Sequence, residues 1–272
     1  MHNLTLIGYG EAGSTFARAG NWGIGACVYD IKPLAERYAR DGVTGCATTA
    51  EAVRQSSAII SVVTADQALI AAQNAAQHLP PGTLYFDLNS VAPETKCAAA
   101  ASIAQSGGRY VDVAVMAPVE PARLQVPLLL SGADAAHGAD LLRSFGFTNV
   151  RVVGDTVGRA STIKMLRSVI YKGVEALTAE CLMACERAGV TDEVLSSFGN
   201  DWSTAADYRL DRMLVHGTRR AAEMTEAVKT LAALGIDPLM TRGTVQRQAQ
   251  LGALAASPVP VGLKAKLERL TT

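Results

Sequence analysis

The stretch "LTLIGYGEAGSTFARAG", Leu4 to Gly20, decides the fold. Its first four residues, Leu4 to Ile7, form an apolar run that reads as a buried strand, and the segment after Gly10 reads as a helix. Between them Gly8, Gly10 and Gly13 fall in G-x-G-x-x-G spacing. The glycines alone are a weak signal. A strand before them, a helix after them and an acidic residue, Asp30, closing the next strand make a dinucleotide fingerprint. Gly8 permits the tight turn, Gly10 lets the backbone approach a pyrophosphate, and Gly13 lets the helix lie close to the strand. The helix N-terminus offers N–H groups and partial positive charge to the phosphates. Tyr9, Glu11 and Ala12 complete the loop as candidate cofactor contacts. Asp30 can accept hydrogen bonds from the adenosine ribose and would repel a 2′-phosphate. NAD is therefore favoured over NADP, although Lys32, two residues on, weakens the preference.

Outward from this stretch, apolar runs alternate with alanine-rich helical segments. Strands are expected at 25–30, 58–63, 84–88, 110–116, 127–132 and 150–154, with helices such as Asp66 to His78 and Pro93 to Ser106 between them. Val63 and Thr64, closing and following the 58–63 run, join the candidate cofactor contacts. Continuous apolar strands alternating with helices predict a parallel sheet covered on both faces, a doubly wound Rossmann arrangement. After Gly154 the rhythm changes. Helical patterns fill 157–188, 191–200, 207–234 and 237–254, and no convincing strand appears. The expected organisation is a dinucleotide-binding α/β domain over residues 1–155, then an all-α domain over 156–272 that opens with one long interdomain helix.

Composition excludes several functions. The 272-residue chain is 49% hydrophobic and 18% charged, enough for full cores and unlike a disordered chain. Its formal net charge is +0 and aromatics are 5%, which supplies neither the field nor the stacking platform for nucleic acid, nor attraction to an acidic membrane. No apolar run approaches the ~20 residues of a membrane span, and without a basic region followed by a long apolar one before the first strand, no signal peptide is expected. Five scattered cysteines without a C-x-x-C pair read as reduced residues of a cytoplasmic protein, with no metal site expected.

The segment "VGRASTIKMLRS", Val157 to Ser168, places Lys164 early in the long helix. On that helix Ile163, Leu166, Ile170, Val174 and Leu177 form an apolar stripe. Lys164, Ser168, Tyr171, Glu175 and Thr178 form a second, polar stripe. Its mixture of one cation, one anion and three hydroxyls suits a cleft wall as well as a solvated face.

Four segments, "GYGEAG", "DLNSVAPET" (Asp87 to Thr95), "VDVAVMAPV" (Val111 to Val119) and "GDTVGRASTIKMLRS" (Gly154 to Ser168), resemble in order and spacing the motifs of the β-hydroxyacid dehydrogenases. That family is also similar to the imine reductases and, more distantly, to 6-phosphogluconate dehydrogenase. The resemblance covers nearly the whole chain and implies the same fold plan. It implies that Lys164 is the catalytic lysine, that Asn89 and Ser90 lie beside nicotinamide and substrate, and that Met116, Ala117 and Pro118 stand at the substrate-binding motif. The chain departs from the pattern at three places. Ala160 and Ser168 replace a glycine and an asparagine of the helix motif, Met116 and Ala117 replace small polar residues or glycine, and His216-Gly217 replaces a lysine–aspartate pair. The whole resembles a divergent branch with a histidine- and arginine-rich C-terminal helix. His216 becomes a candidate catalytic residue through its family position, and Arg212 and Arg219 candidates for holding an anionic substrate. For the arginines, ordinary i,i+4 pairing on a surface helix, such as Arg219 with Glu223, is the alternative.

The implied chemistry is hydride transfer between nicotinamide and a small hydroxy acid or related alcohol or carbonyl, with Lys164 as general acid/base. A free lysine, with pKa about 10.4, is a poor base at neutral pH, but its ammonium is the right donor to a developing alkoxide. Ser90 and Ser168 are placed to position the lysine or the substrate oxygen. Imine reduction and a catalytically silent dinucleotide-binding protein are the alternatives. The family's interlocked helices imply a homodimer through the helical domain.

Overall fold

In the computed structural model, strand β1, Leu4–Ile7, is buried at every position. The structure describes residues 3–199, 201–254 and 257–271. The chain divides into two compact units, Met1–Lys164 and Met165–Thr272.

In the first unit β1 is followed by α1 (Glu11–Ala19), β2 (Ala26–Tyr29), α2 (Ala35–Asp41), β3 (Thr44–Gly45), α3 (Thr49–Val53) and β4 (Ala58–Ser61). Then come α4 (Ala68–Ala76), β5 (Leu84–Asp87), α5 (Pro93–Gln105), β6 (Arg109–Val115), β7 (Leu128–Ser131), α6 (Ala135–Ser144) and β8 (Val150–Gly154). They build one eight-stranded sheet in the order β3-β2-β1-β4-β5-β6-β7-β8. Strand order reverses at β1 and β4, which opens a crevice at their carboxyl ends, the place where such sheets bind ligands.

Alternate residues serve opposite faces. Leu6, Ile60, Phe86 and Val111 pack with Phe16 of α1 and Leu142 of α6. Ile7, Ile59, Tyr85 and Tyr110 pack with Val53 of α3, Ala72 of α4 and Ile103 of α5. The doubly wound expectation is thereby met, with one exception: β6 and β7 run antiparallel. A parallel return needs a crossover of about a dozen residues or more, usually a helix. The connection over 116–127 carries only a 3-10 turn, Arg123–Gln125, so β7 returns beside β6 in the opposite sense. The two-residue β3 was too short to be read from the sequence.

Helix α7, Arg159–Ala188, starts in the first unit and continues into the second, where α8 (Thr191–Ser197), α9 (Trp202–Ala233), α10 (Leu239–Ala253) and α11 (Leu263–Thr271) follow. Helix α9 begins five residues before its expected start at 207. Asn200, the expected end of α8, lies outside the described residues. Leu182, Leu210, Leu214, Leu251 and Leu267 build the main core of this unit. Helices α9 and α10 touch backbone to backbone: a Cβ on Gly217 would lie 2.3 Å from the Gln248 carbonyl oxygen, and one on Gly252 would lie 2.2 Å from the Thr218 nitrogen.

In this unit much of the polar stripe of α7 faces inward and the apolar stripe faces out, which decides against the solvated-face reading. Ile170 and Leu177 of the apolar stripe are 67% and 60% exposed, while Ser168, Glu175 and Thr178 of the polar stripe are buried, with Lys172 beside them. The buried polar groups have partners. Lys172 Nζ donates to Glu223 Oε2 at 2.6 Å. Glu175 Oε2 accepts from Arg220 Nη2 and from Gln248 Nε2, the latter at 2.9 Å. A buried charge is tolerable where partners satisfy it, and α9 and α10 supply them. Of the polar stripe, Tyr171 stays exposed, with the Arg167 guanidinium 4.0 Å over its ring.

Candidate active site

Each glycine of the fingerprint has a geometric reason. Gly8 has φ +94, and a Cβ there would lie 2.2 Å from the Val62 carbonyl oxygen. A Cβ on Gly13 would lie 2.3 Å from the Gly8 carbonyl oxygen, so α1 reaches the strand only through a glycine. Around Gly10 nothing lies within 4 Å of such a Cβ, which leaves the backbone approachable where α1 presents its first N–H groups. This cradle fits a dinucleotide pyrophosphate.

Asp30 follows β2 and closes the loop. Its Oδ2 accepts the Tyr9 N–H at 2.7 Å and its Oδ1 the Lys32 N–H at 2.9 Å. A carboxylate has further lone-pair sites for ribose hydroxyls. Lys32 therefore meets Asp30 through its backbone, while its side chain is exposed. Glu11 and Ala12 open α1 behind Gly10. Arg37 of α2, which the sequence did not single out, donates from Nη1 to the Tyr9 carbonyl at 3.2 Å. A lone arginine in a short helix carries no sequence signal for that reach.

The ends of β4 and β5 are tied together beside this loop. Asn89 Oδ1 accepts the Val63 N–H at 2.6 Å, and Asn89 Nδ2 donates to Ser61 Oγ at 3.0 Å. Thr64 is exposed at the start of the next turn. One residue after Asn89, Ser90 Oγ accepts a hydrogen bond from Lys164 Nζ at 2.5 Å. Ser90 and Lys164, 74 residues apart in sequence, thus meet at the carboxyl end of β5.

Beneath this pair lies a buried charge cluster absent from the sequence reading. Asp87 and Asp112 face each other in register on β5 and β6. Lys96 of α5, fully buried, donates from Nζ to Asp87 Oδ1 at 2.8 Å and to the Asp87 carbonyl at 2.6 Å, and lies 3.4 Å from Asp112 Oδ1. Tyr110 donates its hydroxyl proton to Asp87 Oδ2 at 2.6 Å, and burial with that neighbour pushes the phenol far above its ordinary range. Two acids inside parallel, otherwise apolar strands were the available sequence signal.

The substrate motif stays in the first unit. Met116 N–H donates to the Pro127 carbonyl at 2.9 Å, and its side chain lines a shallow groove of about 330 Å³ with Leu129, Asn149, Arg151 and Ile163. Ala117 and Pro118 are exposed. Ala160, in place of the motif glycine, packs against Ala114 and Leu129.

The remaining candidates belong to the second unit. Ser168 is buried, with Lys172 Nζ 3.5 Å from its hydroxyl. Burial holds the Lys172 ammonium below the ordinary lysine pKa, against the opposing pull of Glu223. On α9, Arg212 and His216 are half-buried. Arg219 is exposed and takes the i,i+4 pairing, Nη1 to Glu223 Oε1 at 3.0 Å. Arg220 turns inward to Glu175. No helix among the described residues is long and apolar enough to cross a membrane.

Comparison with known proteins agrees with this geometry. A family model described as the NAD binding domain of 6-phosphogluconate dehydrogenase matches residues 3–153, and one described as a domain of unknown function (DUF1932) matches residues 185–251. A solved structure of a conserved hypothetical protein from Sinorhizobium meliloti 1021 is 37% identical, with a TM-score of 0.77, covering 100% of this chain and 96% of that one. A second, of a conserved protein of unknown function described as similar to 3-hydroxyacid dehydrogenases, is 33% identical with a TM-score of 0.70, covering 92% and 96%. The L-threonate dehydrogenase of Escherichia coli O6:H1 is 27% identical over 217 residues, 74% of this chain and 71% of that protein. With its glycine cradle, its reversed strand order and the family match over 3–153, the chain belongs to the hydroxyacid dehydrogenase-like NAD(P) oxidoreductases, which share the NAD binding domain of 6-phosphogluconate dehydrogenase.

Proposed function

We propose that the protein is an NAD(P)-dependent dehydrogenase of a small hydroxy acid or related alcohol or carbonyl, with Lys164 as general acid/base. The observation that carries this reading is the Lys164–Ser90 hydrogen bond at the carboxyl end of β5, in the same unit as the glycine cradle. The cradle of Gly8, Tyr9, Gly10 and Gly13, with the first turn of α1, would hold the pyrophosphate, and Asp30 the adenosine ribose. When bound, the nicotinamide exchanges hydride with the substrate carbon. In reduction Lys164 Nζ donates a proton to the substrate oxygen, and in oxidation it takes that proton back. Ser90 Oγ holds the amine and offers a second hydrogen bond to the same oxygen. Asp30 supports NAD over NADP, since its carboxylate repels a 2′-phosphate.

Arg212 and Arg219, with His216 on the same face of α9, are the groups we assign to a substrate carboxylate. Arg219 would exchange Glu223 for it. Ser168 is assigned a supporting role one helical turn beyond Lys164. A homodimer through the helical unit is supported by the exposed Ile170 and Leu177 of α7. Five free cysteines suit a reducing cytoplasm.

The test is turnover of a panel of 3-hydroxy acids, L-threonate included, alongside cyclic imines, with NAD and NADP. Lys164→Ala is expected to lower kcat on the best hydroxy acid by about 10²–10⁴-fold while NADH binding, read by fluorescence, persists. Turnover within a few-fold of wild type would remove Lys164 from the chemistry. Preference for imines would turn the reading to imine reduction, and NADH binding without any turnover would leave a silent dinucleotide binder.

A further inference from the structure

Lys96 is absent from the mechanism above, yet it is fully buried and joins two parts of the site. Asp87 and Asp112 are register partners on adjacent strands, where two like charges repel. Each carboxylate holds a different piece of backbone. Asp87 Oδ1 accepts the Asn89 N–H at 2.9 Å and so shapes the turn that carries Ser90. Asp112 Oδ2 accepts the N–H groups of Gly158 and Ser161 at 3.1 and 3.0 Å, and so caps the start of α7, the helix that carries Lys164. Hydroxyls of Ser131 and Ser161 donate to the same oxygen, each at 3.1 Å. A carboxylate at a helix N-terminus satisfies N–H groups that the helix leaves unpaired. Among the described residues, the cation that bridges the two carboxylates is Lys96, with Nζ 2.8 Å from Asp87 Oδ1 and 3.4 Å from Asp112 Oδ1.

We propose that Lys96 is a positioning residue: by neutralising Asp87 and Asp112 together, it locks the Ser90 turn and the first turn of α7 in the arrangement that places Ser90 Oγ against Lys164 Nζ. Without the cation, the repulsion between the two facing carboxylates is uncompensated, and one of the two backbone anchors loosens. The catalytic consequence rests on the reading of Lys164 as proton donor, whereas the geometric consequence does not.

The experiment uses the full chain with Lys96→Met, and Lys164→Ala alongside. Two quantities are read: kcat and dinucleotide KM on the panel of 3-hydroxy acids, and the rate at which acetic anhydride labels the Lys164 amine, followed by peptide mass spectrometry. For Lys96→Met we expect kcat to fall at least tenfold, dinucleotide KM to stay within threefold, and Lys164 labelling to change at least threefold. Where the single variant does not fold, Lys96→Met/Asp112→Asn, which removes one charge of each sign, is measured by the same two readouts. Unchanged labelling in the folded variant overturns the proposal whatever the turnover. Unchanged turnover also overturns it when Lys164→Ala is itself impaired. If Lys164→Ala has full activity, the catalytic reading falls and labelling alone decides the positioning role. If neither Lys96 variant folds, Lys96 is a folding residue and the proposal is overturned.

Discussion

Both units have apolar cores, but the strands of the first and helix α7 of the second bury their residues by different rules. In the sheet unit, apolar strand residues go inward on both faces, and the buried charges gather where Asp87 at the end of β5 and Asp112 in the middle of β6 meet Lys96 of α5. In the helical unit, α7 turns Ser168, Lys172, Glu175 and Thr178 inward and leaves Ile170 and Leu177 exposed. The difference lies in what each element offers. A central parallel strand is covered on both sides, so an apolar run has one solution. A helix with one apolar stripe and one mixed polar stripe has two, and its neighbours choose between them.

The largest expected effects come from the glycine contacts, one in each unit. Gly13→Ala would drive a Cβ to 2.3 Å from the Gly8 carbonyl oxygen, and Gly217→Ala would do the same against Gln248 of α10. Each should cost about 1–3 kcal/mol of stability by overpacking, read as a lowered denaturant midpoint. Only Gly13→Ala should also weaken NADH binding, by tenfold or more in a fluorescence titration. Equal loss of cofactor affinity in both variants would erase the distinction between the units.

The buried charge of the helical unit gives a smaller, pH-dependent effect. Burial holds the Lys172 pKa below its ordinary 10.5, so the folded chain releases this proton before the unfolded chain does. Between the two values the unfolded state binds more protons, and wild-type stability rises with pH relative to Lys172→Met. The penalty is fully present below the lowered value and disappears near the free-lysine value. Urea melts from about pH 8 to about 10.5 should show the difference moving toward wild type, by at most about 1.4 kcal/mol per pH unit. A difference independent of pH would mean that Lys172 is not held in a desolvated place.

The smallest stability effect is expected on the exposed stripe. Ile170→Ser should alter the unfolding free energy of a single chain by no more than about 0.5 kcal/mol. If this face meets a second copy, the same variant lowers the mass seen by light scattering at micromolar concentration. A monomeric wild type would instead remove the dimer from the reading.

Much of the cofactor cradle could be read before any coordinates. Gly8, Gly10, Gly13 and Asp30 belong to a local pattern whose spacing follows from the turn they make. Lys164 could be named from its motif, but its partner Ser90 is 74 residues away, and only the sheet brings them together. Lys96, Asp87 and Asp112 escaped notice because each is a single charge in an ordinary run, and their meaning lies in the register of β5 and β6. The pairing of Arg219 with Glu223 follows the i,i+4 spacing already read in the sequence, but the inward turn of Arg220 to Glu175 depends on what α7 presents to α9.

Local pattern was enough for a strand, a glycine turn, a helix, an acid at the right distance, and a change from strands to helices after Gly154. These follow from steric and hydrogen-bonding demands acting within about thirty residues. Tertiary structure alone decided which stripe of α7 is inside and which cation neutralises the two facing aspartates. Burial of a charge is favourable only where distant groups complete its hydrogen bonds, and no local pattern encodes those distant partners.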